Sequence, residues 1–95
     1  MALFALIGID KPNALPVRMA AREAHLAYWA ARPGLTRLGG PFLDANGDMA
    51  GSLLIVEAES LAAAEALAAS DPYVPAGLFE RWEVRPWRMT LGQLL

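Results

Sequence analysis

The histidine at position 25 is the only one in the 95-residue chain, and imidazole is the side chain whose titration falls nearest neutral pH. At about 100° per residue along a helix, His25 lies on the flank of an apolar stripe. The stripe consists of Leu15, Met19, Leu26 and Ala30, and the flank also carries Arg18, Arg22 and Trp29. A histidine at the margin of a core can be partly buried yet reachable, which suits a general acid or base. The alternative is a histidine that only packs at the edge of the core.

Asp71 stands directly before Pro72, where backbone geometry can turn a carboxylate toward a neighbouring element. A carboxylate bound to an imidazole fixes its tautomer and stabilises the imidazolium formed on proton transfer. Asp71 is therefore the candidate partner of His25. The alternative is an ordinary Asx turn that closes a helix.

Three further residues are candidates for substrate binding. Ser52 follows Gly51 and could offer a hydroxyl, although both residues also suit a simple hairpin. Arg22, with Arg18, could attract an anionic substrate, although arginines on a helix flank are usually solvated.

Tyr73 could line a pocket for a flat ligand together with Trp29, Trp82 and Trp87. Large aromatic residues in a small domain also belong to cores and dimer interfaces, so both interpretations stay open.

Neither a metal site nor a cofactor site is predicted. Asp44, Asn46 and Asp48 have the spacing of a calcium loop, but the glutamate that would complete the motif is missing. Gly39-Gly40 is followed by proline and an acidic segment rather than by a helix, so it does not form a phosphate-binding loop.

The elements that must position these side chains follow from apolar runs and turn residues. Strands are predicted at 2–9, 35–39, 51–57 and 79–88, helices at 13–32 and 61–70, and a long hairpin loop after residue 39. Asn13 and Ser60 are the predicted helix caps, and Pro86 indicates an edge strand. The order βαββαβ predicts an α+β, ferredoxin-like fold, in which two helices cover one face of a four-stranded antiparallel sheet.

Length and composition restrict the partners. Ninety-five residues fit a single domain spanning 1–95, and a charge of −2 without a basic run argues against nucleic acid. The apolar run at 2–9 is too short to cross a membrane, and the absence of cysteine fits a reducing compartment, so we expect a cytoplasmic protein. With 56% hydrophobic residues and one bare sheet face, we expect a homodimer formed through that open face.

Several segments together resemble the YciI-like (YCII) family over nearly the whole chain. They are Arg22-Glu23-Ala24-His25-Leu26, Gly39-Gly40-Pro41, Gly51-Ser52, Glu59-Ser60-Leu61, the 71–78 segment DPYVPAGL and the closing strand 82–87. The resemblance implies a dimeric α+β barrel with a site built around a histidine and an aspartate, matched here by His25 and Asp71 with Ser52 nearby. Relatives include dehydrochlorinases of chlorinated aromatic breakdown.

Two functional hypotheses follow. The first is a small cofactor-independent enzyme in which His25 and Asp71 perform acid–base chemistry, namely elimination, isomerisation or hydrolysis, on a small anionic or aromatic metabolite. The second is a non-catalytic dimeric module that binds a small molecule or assists a larger enzyme.

Overall fold

The computed structural model describes residues 1–94 as an antiparallel sheet of four strands with two helices. The elements are β1 (Ala2–Asp10), α1 (Leu15–Ala30), β2 (Thr36–Leu43), β3 (Met49–Ala58), α2 (Leu61–Ala69) and β4 (Phe79–Trp87). The strand order β2-β3-β1-β4 places β1 in the interior of the sheet. This confirms the predicted ferredoxin-like fold and the central position of β1.

The hydrophobic core lies between the helices and one face of the sheet. Phe4 and Leu6 of β1 and Val56 of β3 pack there against residues of both helices, namely Trp29, Ala64 and Ala68. Residues directly opposite each other on antiparallel strands share a face, so the alternate positions point away from the helices. That outer face carries the aliphatic side chains of Leu3, Ala5, Ile7, Ile9, Leu53 and Ile55.

Two local predictions are confirmed. Ser60 caps α2, since its hydroxyl accepts a hydrogen bond of 3.1 Å from the backbone N–H of Ala63. Pro86 lies on β4, which pairs with β1 at the edge of the described sheet, where a residue without an N–H is tolerated.

The predicted loop after residue 39 is wrong, because β2 continues through Gly39, Gly40 and Pro41 to Leu43. Gly39 fits here for a steric reason: a Cβ at this position would lie 2.2 Å from Cδ2 of Leu54 on the facing strand. Pro41 is accommodated because β2 is an edge strand. The turn is confined to the residues between β2 and β3, where Gly47 takes a φ of 82°.

The predicted start of α1 is also wrong. The helix begins at Leu15 after Ala14, which provides no side-chain cap, while Asn13 adopts a left-handed φ of 58° and belongs to the preceding turn. Pro16 occupies the first turn, where its missing N–H costs no helical hydrogen bond.

The buried face of α1 differs from the predicted apolar stripe. Met19 and Leu26 are about half exposed, whereas Arg18, His25 and Trp29 are buried. Because polar groups can be buried when they find hydrogen-bonding partners, the carboxylates of Asp10 and Asp71 allow this face to turn inward.

None of the helices in the described part of the chain has the length and apolar character needed to cross a membrane.

Candidate functional site

The structure brings His25 and Asp71 together although 46 positions separate them in the chain. Nδ1 of His25 lies 2.8 Å from Oδ2 of Asp71, and both side chains are largely buried. An ionised carboxylate can only accept hydrogen bonds, so we assign the imidazole proton to Nδ1. Nε2 forms no hydrogen bond with any residue of the described 1–94 region, which leaves it available as a base.

The Asp71 carboxylate is held by three donors. Oδ2 accepts hydrogen bonds of 2.8 Å from both His25 Nδ1 and the indole Nε1 of Trp29. Oδ1 accepts a hydrogen bond of 2.8 Å from the backbone N–H of Tyr73. The Asx turn and the contact with His25 are therefore simultaneous rather than alternative, because each uses a different oxygen.

Tyr73 restrains the imidazole from the side. Its ring stacks on His25 with centroids 4.0 Å apart and planes inclined by 15°. Tyr73 is almost completely buried, and this desolvation raises the pKa of its phenol, although Arg18 and Arg22 act in the opposite direction. The phenol therefore stays protonated at neutral pH and can donate a hydrogen bond.

A second polar network joins Asp10, Arg18 and Ser52. Arg18 binds Asp10 in a bidentate manner through Nε and Nη2, at 2.8 Å each, and Nη2 also donates to Ser52 Oγ at 2.9 Å. Burial lowers the pKa of Arg18, but the hydrogen bonds and charge of Asp10, with help from Tyr73, raise it above its usual value. Arg18 thus remains charged while that charge is compensated within the protein.

The sequence analysis did not single out Asp10, which directly follows the apolar run at 2–9. A usable signal was present: an acid that ends a buried strand is followed eight residues later by an arginine in the next helix. From the sequence alone, Arg18 and Arg22 were both predicted to attract an anionic substrate. In the structure, Arg18 is paired with Asp10, whereas Arg22 is exposed at the cleft.

A cleft of about 320 Å³ lies in front of His25. Residues of α1, β2 and β3 line the cleft together with Tyr73. The lining residues are Arg18, Arg22, His25, Leu26, Trp29, Thr36, Gly39, Gly40, Pro41, Met49, Ser52, Leu54 and Tyr73. Four of the five predicted site residues, namely Arg22, His25, Ser52 and Tyr73, line this cleft. The fifth, Asp71, contacts His25 but is not part of the lining. Arg22 is exposed at the cleft and forms no ion pair with a described residue.

The cleft wall also contains a polar atom that the sequence did not single out. The hydroxyl of Thr36 on β2 is shielded from solvent and has no hydrogen-bonding partner within residues 1–94. Of the tryptophans proposed as pocket residues, Trp29 lines the cleft, while Trp82 borders a separate void of about 20 Å³. Trp87 is partly exposed at the end of β4 and outside the cleft.

In the loop between β2 and β3, the carboxylate of Asp44 is bound by backbone N–H groups of the same loop. Asp44 Oδ1 accepts hydrogen bonds from the N–H groups of Asn46 and Asp48, at 2.8 and 3.0 Å, in an Asx turn. Across the region that the structure describes, no cluster of three or more histidine, cysteine or acidic side chains could hold a metal ion.

Comparison with known proteins agrees with this architecture. The model of the YCII-related domain matches residues 2–88. The chain is 39% identical to the protein YciI of Escherichia coli over 94 residues, which covers 90% of this chain and 96% of the relative. It is 36% identical to a Haemophilus influenzae protein over 93 residues, which covers 90% and 95% respectively.

Solved structures extend the comparison. A 5-chloro-2-hydroxyhydroquinone dehydrochlorinase from Burkholderia phenoliruptrix, in complex with 2,5-dihydroxybenzoquinone, superposes with a TM-score of 0.86 at 38% identity. The match covers 93% of this chain and 95% of the dehydrochlorinase. An antibiotic biosynthesis monooxygenase has a TM-score of 0.58 at 16% identity, with 96% and 100% covered, and shares the fold alone.

Proposed function

The chain belongs to the YCII-related domain family, and from this premise we propose that it is a small-molecule enzyme in which His25 transfers protons and Asp71 orients it. The observation that carries the proposal is the 2.8 Å contact between His25 Nδ1 and Asp71 at the back of an open cleft. A carboxylate in this position fixes the tautomer and stabilises the imidazolium.

The chemistry begins at His25 Nε2, which removes a proton from an acidic C–H or O–H group of the substrate. In an elimination, the electron pair of the broken C–H bond forms a new double bond, and a leaving group such as chloride departs with its own electron pair. In an isomerisation, the imidazolium returns the same proton to another atom of the substrate. General acid–base catalysis of this kind contributes about 10²- to 10⁴-fold to a rate.

The substrate that fits this cleft is small, flat and anionic. A volume of about 320 Å³ is at the lower end of ligand pockets and suits a molecule the size of a single substituted ring. Because Arg18 is already compensated by Asp10, Arg22 would supply the positive charge for an anionic oxygen. The hydroxyls of Ser52 and Tyr73 would bind further oxygens of the ligand.

The related dehydrochlorinase supports this substrate class. Its bound 2,5-dihydroxybenzoquinone is a planar ring whose enolic hydroxyls are conjugated to carbonyl groups and therefore acidic. A ligand of this type would present both an aromatic-sized plane and an anionic oxygen to the cleft of the present chain.

The proposal is tested with a panel of chlorinated and hydroxylated phenols and quinones. Chloride release and substrate depletion measure turnover, and the thermal shift with 2,5-dihydroxybenzoquinone measures binding. We expect His25→Gln and Asp71→Asn to lower turnover by about 100-fold or more. Asp44→Asn, which alters an equivalent Asx turn outside the cleft, is the matched control and should retain the rate.

Two results would contradict the enzymatic proposal. Undiminished turnover by His25→Gln would remove the imidazole from the mechanism. If panel compounds give thermal shifts but the unaltered protein consumes none of them, the result would instead support the non-catalytic binding module.

We also propose that the protein forms a homodimer through the outer face of the sheet. The helices cover the opposite face, and the outer one carries a row of aliphatic residues along β1 and β3. Ala5 and Ile55 of this row are buried within the single chain, whereas Leu3, Ile7, Ile9 and Leu53 are partly exposed. Partly exposed aliphatic side chains grouped on one face of a small domain are typical of an interface.

A further inference from the structure

Two donors share one oxygen of Asp71. Trp29 Nε1 and His25 Nδ1 both lie 2.8 Å from Oδ2, and all three side chains are buried. The two donors are four residues apart on α1, so one turn of a helix delivers both to the same atom.

The indole is held in place independently of the imidazole. The ring of Tyr28 meets it edge-on with centroids 4.9 Å apart, and Trp29 packs in the core against the sheet and α2. Trp29 therefore donates to Asp71 whether His25 is neutral or charged.

The shared oxygen has an electrostatic consequence. Each hydrogen bond to a carboxylate stabilises its negative charge, and a carboxylate stabilised by one donor interacts less strongly with a second one. A carboxylate that contacts an imidazole generally favours the imidazolium, so a second donor on the same oxygen weakens that preference.

We propose that Trp29 is a positioning residue that moderates the hold of Asp71 on the imidazolium and so makes His25 release its proton more readily. This inference rests on the proposed role of His25. A base that retains its proton too strongly is regenerated slowly at neutral pH. The indole N–H on Asp71 would therefore help His25 to return to its neutral form.

Other charged and titratable groups near His25 remain unchanged by an alteration of Trp29. Arg18 and Arg22 on α1 line the same cleft, and Tyr73 stacks on the ring. The sheet contributes Ser52, which is uncharged, and the charge of Asp10 is directed at Arg18. An effect of Trp29 on the titration of His25 therefore passes through Asp71.

The test uses nuclear magnetic resonance, because the single histidine gives one imidazole titration curve without any substrate. In Trp29→Phe, which keeps an aromatic ring but removes the donor, we expect the titration midpoint of His25 to lie above that of the unaltered protein.

Tyr28→Phe is the matched control, since it removes the hydroxyl that donates to the backbone oxygen of Leu67 and leaves Asp71 untouched. We expect this variant to lose some thermal stability and to keep the midpoint. A midpoint in Trp29→Phe that equals the control, or that moves downward, overturns the inference. The measurement requires no turnover, so it remains decisive even if the proposed catalytic function fails.

Discussion

Replacement of Asp10 by Asn should strongly destabilise the protein. The side chains of Asp10 and Arg18 are only 4% and 3% exposed, and two hydrogen bonds of 2.8 Å join them. The substitution keeps the shape and one acceptor oxygen but leaves the guanidinium without its counter-charge in the protein interior. Removing one partner of a buried ion pair typically costs about 3–5 kcal/mol.

This loss is large for a domain of 95 residues. Small domains have unfolding free energies of about 5–15 kcal/mol, so the variant would lose a substantial fraction of its stability. At about 4–8 °C per kcal/mol, the melting temperature should fall by about 12 °C or more. The assay is urea unfolding followed by tryptophan fluorescence, with thermal unfolding as a second measurement.

Asp44→Asn is the control. It makes the same substitution at an exposed carboxylate that accepts hydrogen bonds only from the backbone of its own hairpin loop, where water screens the charge. We expect a loss of about 1 kcal/mol or less. The double replacement Asp10→Leu with Arg18→Met should recover much of the stability lost in Asp10→Asn, because it removes both buried charges.

A loss below about 1 kcal/mol for Asp10→Asn, equal to that of the control, would refute the reasoning. It would mean that water reaches the guanidinium and that Arg18 does not need Asp10. Arg18 would then be available to a substrate, and the distinction between the two arginines of the cleft would disappear.

Two further predictions concern alkaline stability and assembly. Burial raises the pKa of Tyr73, so above about pH 10 the phenol ionises in the unfolded chain before it does so in the folded protein. The stability that the neutral phenol contributes is present below that pH and is lost as the pH rises through the pKa of the folded protein. Unfolding free energies of Tyr73→Phe should therefore fall less steeply with alkaline pH, and parallel curves would contradict this. Leu53→Lys on the outer sheet face should give a monomer in sedimentation equilibrium. The control Leu61→Lys, at a partly exposed position on α2, should sediment like the unaltered protein. A monomeric unaltered protein would disprove the homodimer.

The order of the strands and helices could be predicted because it depends on local signals. These signals are the apolar runs, Ser60 at the start of α2 and Pro72 shortly after its end, and each acts over a few residues. The extension of β2 through Gly39-Gly40-Pro41 could not be predicted in this way. These residues have the composition of a turn, and only the facing Leu54 and the edge position of the strand make them suitable for a sheet.

The orientation of α1 could not be predicted from its apolar residues. Periodicity assigns the core face to hydrophobic side chains, but Met19 and Leu26 are exposed while Arg18 and His25 are buried. The carboxylates that compensate these two residues come from other parts of the chain, so no count along the helix reveals them.

The sequence by itself determined which chemistry is available: one imidazole, an acid fixed before a proline, a serine after a glycine and two arginines on one helix. Only the tertiary structure decided their relationships. It placed Asp71 next to His25, added Trp29 to the same oxygen, and paired the charge of Arg18 with Asp10 while leaving Arg22 facing the cleft. The physical reason is that a hydrogen bond requires its atoms to lie within about 3 Å of each other, and contacts between distant segments are fixed by the packing of helices on the sheet.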